Sequence, residues 1–263
     1  MYDTITSFAM CAVILCALAG GCAQAADYHI SPAGSDANPG TEAAPWQTVA
    51  KVNSVDLQPG DRVLFQGGET FAGAIELDAE DSGSADATVQ IDSYGEGRAT
   101  IDAGNDSGLS ARGCNHLAIA NLNFVGSGRK AGNTESGVFL VDGDDILVDH
   151  IEVSGFRTSG LLFGGLRRAR ATHVYAHDNG ADGIAVGAGE RPEGRWSEDI
   201  TLSYCIAENN PGDPSRLHNH SGNGIVVGCV TGCLIEYCEA MNNGWDMPRK
   251  GNGPVGIWAW SAD

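Results

Sequence analysis

A glycine followed by an apolar triplet recurs along this chain, and no other feature constrains the fold so tightly. Gly137-Val138-Phe139-Leu140 returns as Gly160-Leu161-Leu162-Phe163, Gly183-Ile184-Ala185-Val186, Gly224-Ile225-Val226-Val227 and Gly256-Ile257-Trp258-Ala259, at intervals of 23, 23, 41 and 32 residues. A second ladder runs half a period out of phase through Leu122, Ile151, Val174, Cys205 and Cys238. From Val174 onward its members share an ending that reaches Asn179, Asn210 and Asn243. Two short strands per repeat, joined by loops of variable length, are the signature of a solenoid. One repeat cannot bury its own apolar edge, so neighbours must stack. The three asparagines read as a ladder at a tight turn, where Asn tolerates left-handed backbone and amides pair along the axis.

At 263 residues the chain suits one large domain. Its formal charge is -19, and removing Asp3, the charge of the expected leader, leaves -18. Such a surface repels nucleic acid and anionic lipid, so neither is an expected partner, and an acidic ligand would need a local basic patch. Residues 1–25 read as a secretory signal: Phe8 to Gly20 is an apolar run, and Ala23-Gln24-Ala25 before Ala26 fits small-x-small cleavage. The run is too short to span a bilayer. The segment before it lacks Lys and Arg, which puts the start site in question, and lipidation at Cys22 is the lesser alternative. A secreted or periplasmic, monomeric protein is expected. The remaining five cysteines, Cys114, Cys205, Cys229, Cys233 and Cys238, are an odd number that argues against a complete disulfide framework. Cys205 and Cys238 should stack as small core side chains. Cys229 and Cys233 form at most half a zinc site.

Residues 26–85 differ in texture and are assigned to an N-terminal cap and first coil, with coils over 86–263. A turn-rich stretch leads to Trp46, Val49, Ala50 and Val52, which suit one face of a short helix, and then to the strand Arg62-Val-Leu-Phe65. A helix there would cover the open end of the solenoid and its unpaired edges. The chain stops just after the apolar Gly256-Ile-Trp-Ala-Trp stretch with no polar cap, so truncation at the C-terminus is expected.

Tyr28-His-Ile-Ser-Pro-Ala-Gly-Ser-Asp, Pro-Trp-Gln-Thr-Val-Ala-Lys and Pro-Gly-Asp-Arg-Val together resemble the N-terminal cap of pectin-lyase-like right-handed parallel β-helix proteins, including family 9 pectate lyases and family 6 alginate lyases. The resemblance implies an all-β, single-stranded right-handed parallel β-helix with an N-terminal capping helix. It also implies carbohydrate activity, although fold does not fix chemistry. Asn179-Gly-Ala-Asp182-Gly-Ile-Ala resembles a pectate lyase stretch whose aspartate helps bind calcium, which makes Asp182 a candidate Ca2+ ligand. Asp142 and Asp144 could add hard oxygen ligands, or form a solvated turn with Asp145. The same lyases carry a lysine base in a Gly-Asn-Gly-Phe-Lys motif. Gly222-Asn-Gly-Ile-Val226 keeps the frame but offers a valine, which cannot accept a proton.

Chemistry by β-elimination needs a cation to neutralise a uronate, a base and an assisting acid. Two loops that precede equivalent strands should lie side by side at one rim and supply them. One carries Arg216, His218, His220 and Asn223; the other carries Trp245, Asp246, Arg249 and Lys250. His218, His220 or Lys250 would act as base and Arg249 as uronate partner, with Asp246 nearby. Trp245, Asn223 and Arg216 would bind sugar. Arg157, Arg167, Arg168 and Arg170 form another basic patch, read chiefly as balancing local aspartates. His150, His173 and His177 read as turn or ladder residues. Trp258 and Trp260 share one face, as a sugar platform or as exposed core. The expected activity is a polysaccharide lyase on a uronate-containing glycan. The alternatives are a non-catalytic glycan-binding or adhesin-like β-helix, and a glycoside hydrolase with paired carboxylates.

Overall fold

The computed structural model describes residues 25–187, 196–249 and 253–262. Residues 1–24, which hold nearly all of the expected leader and its Cys22, and Lys250 lie outside these residues. The described chain winds as stacked coils whose strands pair in parallel with the coil above and below, about 4.8 Å apart.

Each coil carries three strands rather than two. The first face holds Leu109–Arg112, Val138–Val141, Ser159–Gly164 and Asp182–Val186, and ends on Ile257–Ala262. The second runs from Asp27–Ile30 through Asp144–Asp149 and Arg167–Thr172 to Ser197–Ser203. The third includes Glu152–Ser154, Tyr175–His177, Ile206–Glu208 and Glu239–Met241. The long strand Asn223–Glu236 serves two faces, turning the corner at Cys229 with φ of 49°. On the second face one strand is hard to see in sequence, because in Arg167-Arg168-Ala169-Arg170-Ala171 the inward residues are the small Ala169 and Ala171.

Both ladders fall in register. Val138, Leu161, Ile184 and Ile225 stack within the core, and the strands following Ile151, Val174, Cys205 and Cys238 pair in sequence. The asparagines bind along the axis: Asn210 Oδ1 accepts from Asn179 N–H at 3.0 Å, and Asn243 Oδ1 accepts from Asn210 N–H at 3.0 Å. Left-handed backbone belongs to the residue before each of them, Asp178, Asn209 and Asn242. The ladder explains the repeated glycine. A Cβ on Gly183 would sit 2.7 Å from Ala207 Cβ and 2.8 Å from Asn210 Nδ2. A Cβ on Gly224 would meet Gly256 O at 2.5 Å and Ala240 Cβ at 2.6 Å.

The cap helix spans Val49–Val52, with Thr48 Oγ1 accepting from Lys51 N–H at 3.1 Å. Trp46 precedes it, buried and stacked on Tyr28 at 4.5 Å. Ala50 faces solvent, because a helix this short buries only Val49 and Val52. The five cysteines of the described chain are free thiols. Burial pushes Cys205 and Cys114 each up to about 12. Among the described residues no helix is long and apolar enough to cross a membrane.

Candidate functional site: a cleft along the first face

Alternation along a strand sends every second side chain outward, and register then aligns those side chains from coil to coil. On the first face this makes an outer stripe of Phe139, Leu162, Ala185, Val226 and Trp258. The stripe floors a cleft of about 870 Å³. Val226, the residue in the lysine frame, is part of that apolar floor.

Beside the floor runs a buried polar column made by the residue preceding each of the first four ladder glycines: Ser136, Ser159, Asp182 and Asn223. Ser159 Oγ donates to Asp182 Oδ2 at 3.0 Å, and Asn223 Nδ2 donates to Asp182 Oδ1 at 2.8 Å. Asn223 Oδ1 accepts from Val255 N–H at 3.1 Å and lies 2.9 Å from His220 Nδ1. The His220 ring meets Trp258 edge-on at 5.1 Å. Asp182 is thereby oriented through both oxygens while 8% of its surface stays open.

Walls close the cleft unevenly. Arg216, Asn219 and His220 come from the 211–222 loop, and Trp260 stands near Trp258 at 6.4 Å. Arg112 lies over the Phe139 ring at 4.5 Å near the other end, with Glu135 nearby on the lining. The charged lining residues are two guanidiniums and two carboxylates, which balance, in a chain whose total is -19.

The two rim loops are indeed adjacent. Asp246 N–H donates to Pro211 O at 2.9 Å, and Gly244 N–H donates to Asn210 O at 2.8 Å. Their side chains nevertheless divide. Arg216, His220 and Asn223 reach the cleft, while Asp246 binds the side chains of Arg129 and Lys130. Arg129 also donates to Gly212 O at 2.8 Å, so the 127–136 excursion braces both loops. These two cations hold Asp246 down at about 2. Asp246 is engaged in that brace and is not part of the cleft lining. Trp245 is 69% exposed, His218 is exposed, and Arg249 is half-buried; none of them lines the cleft.

The three calcium candidates do not assemble. Asp182 opens its first-face strand, whereas Asp142 and Asp144 lie beyond the other end of that face. Asp144 accepts from Arg167 Nη2 at 2.6 Å, and Asp145 accepts from Arg168 at 2.8 Å. Asp182 already faces hydroxyl and amide donors, which compete with a cation for its oxygens. Glu135, Arg112, Phe139 and the two serines were missed from sequence. Ser136 and Ser159 have a signal as the polar residue before a ladder glycine, and Phe139 as the outward position two residues after one; Glu135 and Arg112 have neither.

Comparison with known proteins fits this architecture. The model for the "Pel9A-like, right handed beta helix region" matches residues 28–256. The chain belongs to that family. A lacto-N-biosidase of Bifidobacterium longum subsp. longum is 34% identical over 134 residues, covering 48% of this chain and 8% of the relative. The crystal structure of a GH136 lacto-N-biosidase from Eubacterium ramulus superposes with a TM-score of 0.68 at 18% identity, over 90% of this chain and 50% of that one. An alginate lyase from Paenibacillus sp. gives a TM-score of 0.54 at 17% identity, over 81% and 74%. The chain thus spans a small part of the curated relative and half of the first of these structures.

Proposed function

We propose that this Pel9A-like chain carries the glycan-binding cleft of a secreted or periplasmic carbohydrate-active enzyme, and that the bond cleaved is a glycosidic bond broken by hydrolysis beside Asp182. The observation that carries this reading is a buried, doubly oriented carboxylate on an apolar floor, in a cleft whose fixed charges balance. Apolar and aromatic surface suits the C–H faces of sugar rings, and a polyuronate would need a surplus of cations. The similarity to lacto-N-biosidases supports hydrolysis over elimination.

Glycoside hydrolysis needs two carboxyl groups, one to protonate the leaving oxygen and one to act as nucleophile or base. Asp182 receives two neutral donors, which leaves it an acceptor suited to the second role. Glu135, on the lining two coils away, is assigned as the second carboxyl group. Trp258 and Trp260 supply the stacking surface, and Arg216 and Asn219 supply polar contacts to hydroxyls. Trp245, His218 and Arg249 are outer contacts for a longer ligand. The leader at 1–25, cleaved near Ala25/Ala26, would export the chain.

A second reading keeps β-elimination, with His220 as base and Arg216 as the uronate partner, because both reach the cleft together. One panel of neutral oligosaccharides and polyuronates separates the two. Hydrolysis yields new reducing ends without an unsaturated uronide, and Asp182→Asn abolishes it. An ultraviolet-absorbing unsaturated product lost in His220→Asn would overturn the hydrolytic reading. Retention of glycan without turnover would favour a binding role.

A further inference from the structure

The corner between the second and third faces, away from the cleft, gathers a different set of ligating groups. Asp149 Oδ1 lies 2.7 Å from His150 Nδ1 on its own coil and 3.5 Å from His173 Nδ1 on the next. All three ligating atoms fall within 4.8 Å of one another. The 2.7 Å contact is a hydrogen bond that an ion would replace; donors about 2.1 Å from a shared ion can be at most about 4.2 Å apart, a limit within which the 3.5 Å contact to His173 already falls. Thr172 Oγ1, 3.0 Å from His173 Nδ1, stands beside the group as a further oxygen.

Two features hold the imidazoles in place. His150 and His173 both adopt left-handed backbone, with φ of 51°, which fixes their Cα–Cβ directions at the corner. Their rings stack at 4.2 Å, and Tyr204 stacks on the far side of His173 at 5.3 Å, itself backed by Tyr237 at 4.9 Å. The histidine side chains remain 45% and 47% exposed, so water can complete a coordination sphere. Two imidazoles and one carboxylate suit a borderline transition ion better than calcium, which takes oxygen ligands.

We infer that Asp149, His150 and His173 form a site for a divalent transition-metal ion, with Zn2+ as the probe, that staples adjacent coils at this corner. The ion bridges a carboxylate and imidazole of one coil to an imidazole of the next. Its role is structural and independent of the cleft.

The test is calorimetric titration of chelator-treated full chain with Zn2+ at neutral pH. One saturable ion per chain is expected, weakened at least roughly tenfold in His150→Asn and in His173→Asn, since loss even of an outer partner of a metal ligand costs 10–100-fold. His218→Asn should bind as the parent does, and Zn2+ should raise the melting temperature of the parent but not of the two corner variants. Asp149→Asn, which preserves shape, serves if a histidine variant folds poorly. Absence of saturable binding, unchanged affinity in the corner variants, or equal loss in His218→Asn would overturn the inference.

Discussion

Replacing Asn210 by Ala should be among the most damaging single changes outside the glycines. The side chain is fully buried. Its Nδ2 donates to Ala176 O at 3.1 Å and to Asn243 Oδ1 at 2.9 Å, and its Oδ1 accepts from Asn179 N–H at 3.0 Å. Alanine leaves the Asn179 N–H and the Ala176 carbonyl without these partners, in a buried corner where a Cβ on Gly183 would lie 2.8 Å from the Asn210 amide. A buried polar group left unsatisfied costs about 1–3 kcal/mol, so two such groups give a loss of about 2–6 kcal/mol. For a domain of this size each kcal/mol shifts the melting temperature by about 2–4 °C, which predicts a fall of at least about 4 °C. Because solenoid coils couple to their neighbours, the loss should also show as faster amide exchange in the coils on either side. The measurement is thermal and urea unfolding of Asn210→Ala against the exposed Asn219→Ala. A change indistinguishable between the two would mean that the axial amide bonds contribute nothing beyond shape, and the account of why Asn and Gly recur together would fail.

Other consequences can be checked separately. Asp182→Asn should remove turnover while leaving the melting temperature within a few degrees, measured by product release and by scanning calorimetry. The brace at Asp246 should be insensitive to pH near neutrality: its carboxyl is lowered from 3.8 to about 2, so the ion pairs persist above pH 4 and are lost as pH falls through about 2, read by proteolysis of the 211–222 loop. Asp246→Asn should give at pH 7 the loop susceptibility that the parent shows only in acid. Cys114 and Cys205, raised to about 12, should resist an aromatic disulfide reagent in the native protein and react on unfolding; rapid native labelling of either would contradict their burial.

The parts of this fold that could be read from the chain were those where one residue type repeats for a steric reason. Gly160, Gly183 and Gly224 have no room for a Cβ, and Asn179, Asn210 and Asn243 saturate the backbone of neighbouring coils. Such positions admit no substitute, so they stand out at unequal spacing. The second face is legible at Arg62-Val-Leu-Phe65 but not at Arg167–Thr172, where the inward positions are the small Ala169 and Ala171 and Arg167 and Arg168 engage Asp144 and Asp145. The cleft was half legible. Loop position alone places Arg216, His220 and Asn223 on the cleft lining, whereas the contact of Asp246 with Arg129 and Lys130, more than a hundred residues earlier, has no local signal. Loop adjacency follows from coil register; side-chain direction within a loop depends on such distant excursions.

Charge offers the sharpest discrimination between a neutral glycan and a polyuronate. Arg112 and Arg216 are balanced on the cleft lining by Glu135 and Asp182, while the chain as a whole carries -19. A polyanion approaching this surface meets long-range repulsion that salt screens beyond a Debye length of about 8 Å at physiological ionic strength. If the cleft lacks a net cationic hold, raising salt should leave a neutral oligosaccharide's affinity unchanged and should modestly strengthen whatever polyuronate binding exists. If Arg112 and Arg216 instead grip uronates directly, that binding should weaken with salt and fall further in Arg216→Gln. Titrating both ligand classes at low and high ionic strength therefore reads the sign of the local field. Polyuronate affinity that declines with salt, alongside no measurable affinity for neutral sugars, would refute the balanced-cleft argument and restore the uronate lyase reading.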